Sequence, residues 1–436
     1  MRRQKRREPY VIEIENLSHE GRGIGRLNGK TVFVSGALPQ ETVKARTTKR
    51  RGSFDEAIAL EIQVASSDRV EPKCPHAGVC GGCSLQHLPN DKQIAHKQSV
   101  LFELLTHHAA IAPAEKLPPL LGPQWGYRRK ARLGVKFVPK KGGALVGFRE
   151  KASPYIADIQ NCVVLDPIVG ERLLDLRVLI NGLSIPDRIP QIEVAIGDSA
   201  AALVFRHLDD FNDADIARLA EFQESTGIGI YLQPGGEHTV HRLNDTTIAL
   251  SYGIDGLTFD FLATDFTQVN GVMNRAMIKL VIQQLQLTAT DRVLDLFCGL
   301  GNFTLPLARS TAQVFGIEGS AELVNRALDN AARNNIANVS FGHADLADVD
   351  AVSKIDMHGV TKLLLDPPRT GADTIVKELD LKTVQRIVYV SCNPVTLARD
   401  TKSILEKHNF ELVSAGVMDM FPHTSHVESI AVFENR

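Results

Sequence analysis

From Thr264 to the C-terminus, short β-branched runs alternate with helical periods, and few folds accommodate that alternation. Arg292–Phe297, Gln313–Ile317, Val339–Phe341, Lys362–Leu365 and Ile387–Ser391 are strand-length and mostly apolar, as strands are when helices cover both faces of a parallel sheet. This predicts a doubly wound α/β domain over residues 266–436, with ligands bound outside the carboxyl ends of its strands. Chemistry-bearing residues stand at those ends. Cys298-Gly299-Leu300-Gly301-Asn302-Phe303 follows the first strand, Glu318 the second, Asp345 the third, Asp366 the fourth and Cys392 the fifth.

A glycine-rich turn from strand to helix lets a nucleotide-like ligand approach the backbone. Thr304 stands where a dinucleotide fold would carry its third glycine, which weighs against a pyrophosphate. Glu318 is placed to accept from two ribose hydroxyls, and Asp345 falls near an adenine. Asp295-Leu-Phe-Cys-Gly-Leu-Gly301 with Glu318 and Asp345 resembles the S-adenosylmethionine site of class I methyltransferases. Cys392 ends a strand just before the turn Asn393-Pro394, so it lies near a helix N-terminus, where a thiol pKa can be lowered. Taken alone, such a cysteine reads more readily as a small buried hydrophobe; the neighbouring strand changes that. An Asp/Asn-Pro-Pro-aromatic tetrad would point to an exocyclic amine, but here Asp366-Pro367-Pro368 is followed by Arg369. Arg369 and a thiol one strand away point instead to methylation at carbon 5 of a uracil. A thiolate adding to carbon 6 creates the enolate that carbon 5 needs to attack a sulfonium methyl. A base must then remove the carbon-5 proton, and Glu428, His423 and His426 are the candidates.

The N-terminal half suggests an RNA partner. The formal net charge of the 436 residues is −2. Residues 1–51 nevertheless carry 13 Lys and Arg against 5 Asp and Glu, and residues 121–151 carry 9 against 1. Two separate basic blocks, the second with Trp125 and Tyr127 among its arginines, favour polyanion contact over a merely solvated face. Five or so short strands in residues 8–68 predict a small OB-like β-barrel, with Gly21–Arg26 as a flexible basic turn. We place domains at 1–70, 71–265 and 266–436, the central one β-rich, with the helical period 91–110 packing on the catalytic domain. No apolar run exceeds strand length, and the basic Met1–Arg7 lacks the apolar stretch of a secretory signal, so a cytoplasmic protein without membrane association is expected.

Four of the remaining thiols are Cys74-x5-Cys80-x2-Cys83 and the distant Cys162. In a cytosolic chain such a set suggests metal before disulfide, and a tight triplet plus one favours an iron–sulfur cluster over zinc. Cys298 reads as packing.

Phe266-Thr-Gln268-Val-Asn270, the loop 295–303, Asp366-Pro-Pro-Arg369, Ser391-Cys-Asn-Pro394 and His426-Val-Glu428 together resemble the RNA uracil-5-methyltransferase family across nearly the whole chain. The resemblance implies Cys392 as nucleophile and Glu428 as proton-abstracting base. It places Gln268, Phe297, Asn302, Glu318, Asp345 and Asp366 around S-adenosylmethionine or the target base, with Phe266 close to a flipped base. It further implies a barrel resembling the TRAM domain and a 4Fe–4S cluster on Cys74, Cys80, Cys83 and Cys162. Barrel and cluster together imply action on a single uridine of 23S ribosomal RNA, and a monomer is expected. The same chemistry on transfer RNA or on another ribosomal uridine remains an alternative. So does a redox-responsive RNA-binding protein, although an intact Cys392, Asp366 and Glu428 argue against it. Any target base must be unpaired or flipped to reach such a pocket.

Overall fold

A computed structural model describes residues 8–245 and 248–436; the basic heptad Met1–Arg7 lies outside them. Contacts gather into two bodies. The first takes residues up to Lys97 with Gly147–Ile159 and Phe421–His426, and the second takes Gln98–Val146, Gln160–Met420 and Val427–Arg436. Among the described residues no helix is long and apolar enough to cross a membrane.

The first body is built on a six-stranded sheet in the order Tyr10–Glu13, Thr42–Arg50, Phe54–Val64, Lys30–Ser35, Gly23–Leu27, Asn16–Leu17. Alternate residues such as Ile12, Val32, Val34, Val43 and Ala45 face one core, as the period of a strand requires. Gly21–Arg26 differs from its sequence reading as a turn, because only Gly21 turns (φ +72) and Gly23–Leu27 is a strand. Its glycines are there for space. A Cβ on Gly25 would meet the Glu13 carbonyl at 2.3 Å, and one on Gly23 would meet Ile14 at 2.8 Å.

The cysteine loop of this body is stitched to the hairpin that follows Gly147. Gly81 N donates to Arg149 O (2.8 Å), Lys151 N to Val79 O (2.9 Å) and Lys151 Nζ to Ala77 O (2.5 Å). Buried Gln93 ties the same region to Phe421–His426. Its Nε2 donates to Leu88 O (2.7 Å) and its Oε1 accepts from His423 N (2.9 Å).

The second body carries a six-stranded sheet in the order His241–Arg242, Gly229–Gln233, Ala201–Arg206, Gln191–Ile196, Lys130–Val138, Gly143–Gly147, and a larger sheet of eight. We number the strands of the larger sheet β1 (Arg292–Leu296), β2 (Gln313–Glu318), β3 (Val339–His343), β4 (Lys362–Leu365), β5 (Arg386–Ser391), β6 (Phe410–Met418) and β7 (Glu428–Asn435). Their order is β3-β2-β1-β4-β5-β7-β6, and the short strand Glu115–Lys116 completes the sheet beyond β6. β1 to β5 run parallel, while β7 lies antiparallel between β5 and β6. The near-continuous burial of β1, β4 and β5 follows from helices covering both faces. Strand order reverses at β1, which is the topological switch point where open α/β sheets bind ligands.

Candidate active site

β7 pairs with β5 so that Ser429 faces Ser391, and Ser429 Oγ locks that end by donating to Ser391 O (3.0 Å). One step further along both chains sets Glu428 opposite Cys392, where antiparallel partners stand about 5 Å apart at Cα. The parallel registers Leu296–Leu365 and Leu365–Tyr389 bring Asp366 to the same lip. Beyond Cys392, Asn393 caps the helix Pro394–Lys407 by accepting from Val395 N (3.2 Å), with proline at the first position.

The electrostatics of this lip depart from the sequence expectation. Burial, and then the charges of Glu428 and Asp366, push the Cys392 thiol up to about 11, with Arg369 pulling the other way. The helix N-terminus is present, but a half-buried sulfur beside two carboxyls is dominated by desolvation and like charge. Burial also pushes Asp366 up to about 7. Glu428 is 5% exposed, and burial followed by the Asp366 charge raises its carboxyl well above the usual range, against the pull of Arg369. Burial thus favours the neutral forms of Cys392, Glu428 and Asp366, with Asp366 pushed up to about 7. The other candidate bases lie in the first body, His423 bonded to Gln93 and His426 exposed.

The glycine loop after β1 curls through left-handed backbone at Phe297 (φ +65), Gly299 (φ +56) and Gly301 (φ +90). Phe297 N and Cys298 N both donate to Ile317 O (2.9 and 3.2 Å), folding the loop onto β2. Gly316 leaves room for this, since a Cβ there would meet Phe341 at 2.7 Å and Cys298 Sγ at 2.9 Å. Cys298 is buried and serves as packing. Glu318, which ends β2, accepts from Gly299 N and from Ser320 N (both 3.0 Å), so its carboxylate is fixed at the loop mouth. Asp345 lies exposed beyond β3, with Oδ1 accepting from Ala347 N (2.9 Å).

Thr304 at the third glycine position has a structural reason. Its hydroxyl donates to Asp295 Oδ2 (2.5 Å), and Asp295 is wholly buried with Oδ1 unpartnered. Burial raises Asp295 to about 7, the Thr304 bond lowers it, and the charges of Asp366 and Glu318 raise it further. Asn302 turns its amide into the protein. It exchanges two 2.9 Å bonds with Asn274 and accepts from Tyr252 Oη (2.9 Å), partners with no signal in the sequence pattern. Gln268 is half-buried, and two residues before it Phe266 is 68% exposed, an aromatic ring left to solvent.

Of the predicted metal ligands, Cys74, Cys80 and Cys83 belong to the first body and Cys162 to the second. All three thiols of the triplet act electrostatically on Lys151, whose ammonium is lowered chiefly by burial. Among the described residues, no three His, Cys, Asp or Glu side chains are grouped as a metal ion would hold them. The thiol-only donor set suits a soft metal or an iron–sulfur cluster in its chemistry.

Comparison with known proteins bears on the whole arrangement. Residues 196–436 match the tRNA (uracil-5-)-methyltransferase family, and residues 3–60 match the TRAM domain. The chain is 52% identical over 436 residues to the 23S rRNA (uracil(1939)-C(5))-methyltransferase RlmD of Alkalilimnicola ehrlichii, covering 99% of this chain and 98% of that one. It is 49% identical over 443 residues to the protein of the same name from Hahella chejuensis, covering 99% of each. Among solved structures it resembles the Pyrococcus abyssi tRNA (uracil-54, C5)-methyltransferase in complex with S-adenosyl-L-homocysteine. The TM-score is 0.72 at 22% identity, over 98% of this chain and 100% of that one, a likeness of fold.

The raised carboxyls make stability depend on pH. Asp295 and Asp366 keep their protons to about pH 7 when folded, whereas an unfolded carboxyl loses its proton near pH 4. The folded chain thus binds more protons in that window, and its stability falls as pH rises from about 4 to about 7. Urea unfolding at about pH 5 and about pH 8 measures the fall, and Asp295→Asn flattens it.

Proposed function

The chain belongs to the tRNA (uracil-5-)-methyltransferase family, and from that membership we propose that it transfers a methyl group from S-adenosyl-L-methionine to carbon 5 of one uridine in 23S ribosomal RNA. The substrate follows the relatives of about 50% identity that carry this activity in their names over nearly the whole chain. The mechanism rests on one observation, the β5–β7 register that sets Cys392 opposite Glu428 beside Asp366 and Arg369.

In this mechanism Cys392 Sγ, its proton passing to solvent water, adds to carbon 6 of the uracil, and the displaced pair forms an enolate across carbon 5 and the carbonyl. Carbon 5 takes the methyl from the sulfonium, releasing S-adenosylhomocysteine. Glu428, as carboxylate, removes the carbon-5 proton, and that electron pair expels Sγ from carbon 6. A carboxyl with a raised pKa is a stronger base once ionised, which suits the removal of a carbon-bound proton. Arg369 supplies positive charge beside both reacting side chains and stabilises their ionised forms. Glu318 and Asp345 hold the ribose and adenine of the methyl donor, and the loop from Phe297 to Asn302 lets its backbone approach the ligand. Gln268 and Asp366 contact the methyl donor or the target base, and the exposed ring of Phe266 offers a stacking surface to an extruded base. The N-terminal sheet, matched to a TRAM domain, binds the RNA backbone through its basic residues.

Cys74, Cys80, Cys83 and Cys162 are proposed as ligands of a 4Fe–4S cluster whose role is to brace the fold and shape the RNA-binding surface. The protein is read as a cytoplasmic monomer.

Cys392→Ala should reduce methylation of a 23S rRNA fragment by about three orders of magnitude or more while S-adenosylmethionine still binds; retained turnover overturns the covalent route. Glu428→Gln should let the adduct form and stall, seen as a protein–RNA band that survives denaturation. Elemental analysis of the anaerobically purified chain should find about four irons with matching sulfide, reduced in Cys83→Ser; zinc without iron contradicts the cluster.

A further inference from the structure

Arg399 and Asp400, on the helix Pro394–Lys407, do not appear in the reaction above, yet they bond directly to the loop that carries Asp366 and Arg369. Asp400 has no solvent exposure. Its Oδ2 accepts from Ala372 N (2.7 Å) and from Tyr389 Oη (2.7 Å), and its Oδ1 accepts from Arg399 Nε (2.8 Å) and Nη2 (2.7 Å). Arg399 Nη2 also donates to Thr370 O (2.9 Å). Asn393, next to the nucleophile, donates from Nδ2 to Arg369 O (2.8 Å), and Thr396 Oγ1 reaches the same carbonyl (3.4 Å). Main-chain groups of residues 369, 370 and 372 are thus all held by the helix that Cys392 introduces. Gly371 (φ +79) lets the loop lie flat on the ion pair, since a Cβ there would meet Asp400 Oδ2 and Arg399 Nη2 at 2.6 Å each.

A buried carboxylate costs desolvation, and replacing a buried ion pair with apolar side chains is often neutral or stabilising, so stability alone is a weak reason for this one. Its geometry supplies another. The four donors to Asp400 come from β5, from the loop after β4 and from the helix itself, so the pair joins the three elements that surround the thiol. We propose that Arg399 and Asp400 are positioning residues of the methyl-transfer site, clamping the Asp366–Ala372 loop so that the Arg369 guanidinium stays beside Cys392. This rests on Cys392 being the nucleophile. The charged groups facing that thiol are Glu428 from β7 and Asp366 and Arg369 from the clamped loop, and Arg369 alone of these favours the thiolate. Loosening the clamp removes the favourable charge and leaves Glu428 in place.

The test uses the full chain as wild type, Arg399→Gln, Asp400→Asn and Arg399→Lys, with Arg369→Met as reference. Alkylation of Cys392, followed by mass spectrometry of its peptide across a pH series, reads the thiol directly. In Arg399→Gln and Asp400→Asn the profile should move up by about half to one pH unit, toward that of Arg369→Met. The turnover number should fall about tenfold, with the KM for RNA changing far less. Arg399→Lys should fall between, because lysine keeps the charge but loses the planar fork. Profiles that coincide with wild type in both variants, even with a lowered melting temperature, overturn the clamp and leave a purely structural role. The Arg399 side chain is 44% exposed, so Arg399→Gln carries the test should Asp400→Asn fail to fold. The two proposals fail separately. A Cys392→Ala protein that still methylates removes the nucleophile, whereas unmoved alkylation profiles remove the clamp alone.

Discussion

The antiparallel insertion of β7 between β5 and β6 is the constraint on which the site depends. A parallel sheet delivers all its strand ends to one lip, so it can align a cofactor loop, a carboxylate and a thiol without further help. It cannot bring a base from the end of the chain to face that thiol. β7 does so by running the other way, so that its first residue, Glu428, meets the last turn of β5. Ser391 and Ser429, directly opposite and bonded, hold that register, and a slip of one residue would turn Glu428 to the other face.

The same burial that fixes the geometry sets the charge. Asp295, Asp366, Glu428 and Cys392 are all shifted toward their neutral forms by loss of water, and the charge of Asp366 pushes the other three further. Such a site is poor at holding a thiolate at rest. Arg369 pulls the other way on both Cys392 and Glu428, and its backbone carbonyl accepts from Asn393 Nδ2 (2.8 Å).

Much of this was legible from residue order. Alternation of strand and helix predicts the doubly wound domain, and the rule that ligands sit at strand ends points to the glycine loop, Glu318, Asp366 and Cys392. Other features depended on neighbours distant in the chain. Whether Gly21–Arg26 turned or extended was decided by Ile14 and Glu13, which leave no room for a Cβ. The amide of Asn302 is held by Asn274 and Tyr252, partners that residue order does not signal. A helix N-terminus suggests an acidic thiol, and burial of the sulfur, with two carboxyls beside it, reverses that. Arg399 and Asp400 lay in an ordinary helical stretch, and their importance appears only once the loop after β4 is seen resting on them.

The central claim is that Cys392 becomes bonded to the uracil during the reaction. A 23S rRNA fragment with 5-fluorouridine at the target position isolates that step, because fluorine cannot leave as the proton does. With S-adenosylmethionine present, mass spectrometry of the denatured, digested complex should find the RNA joined to the Cys392 peptide, with methyl and fluorine both on carbon 5. Complete absence of an adduct, or its attachment at another residue, would contradict the account.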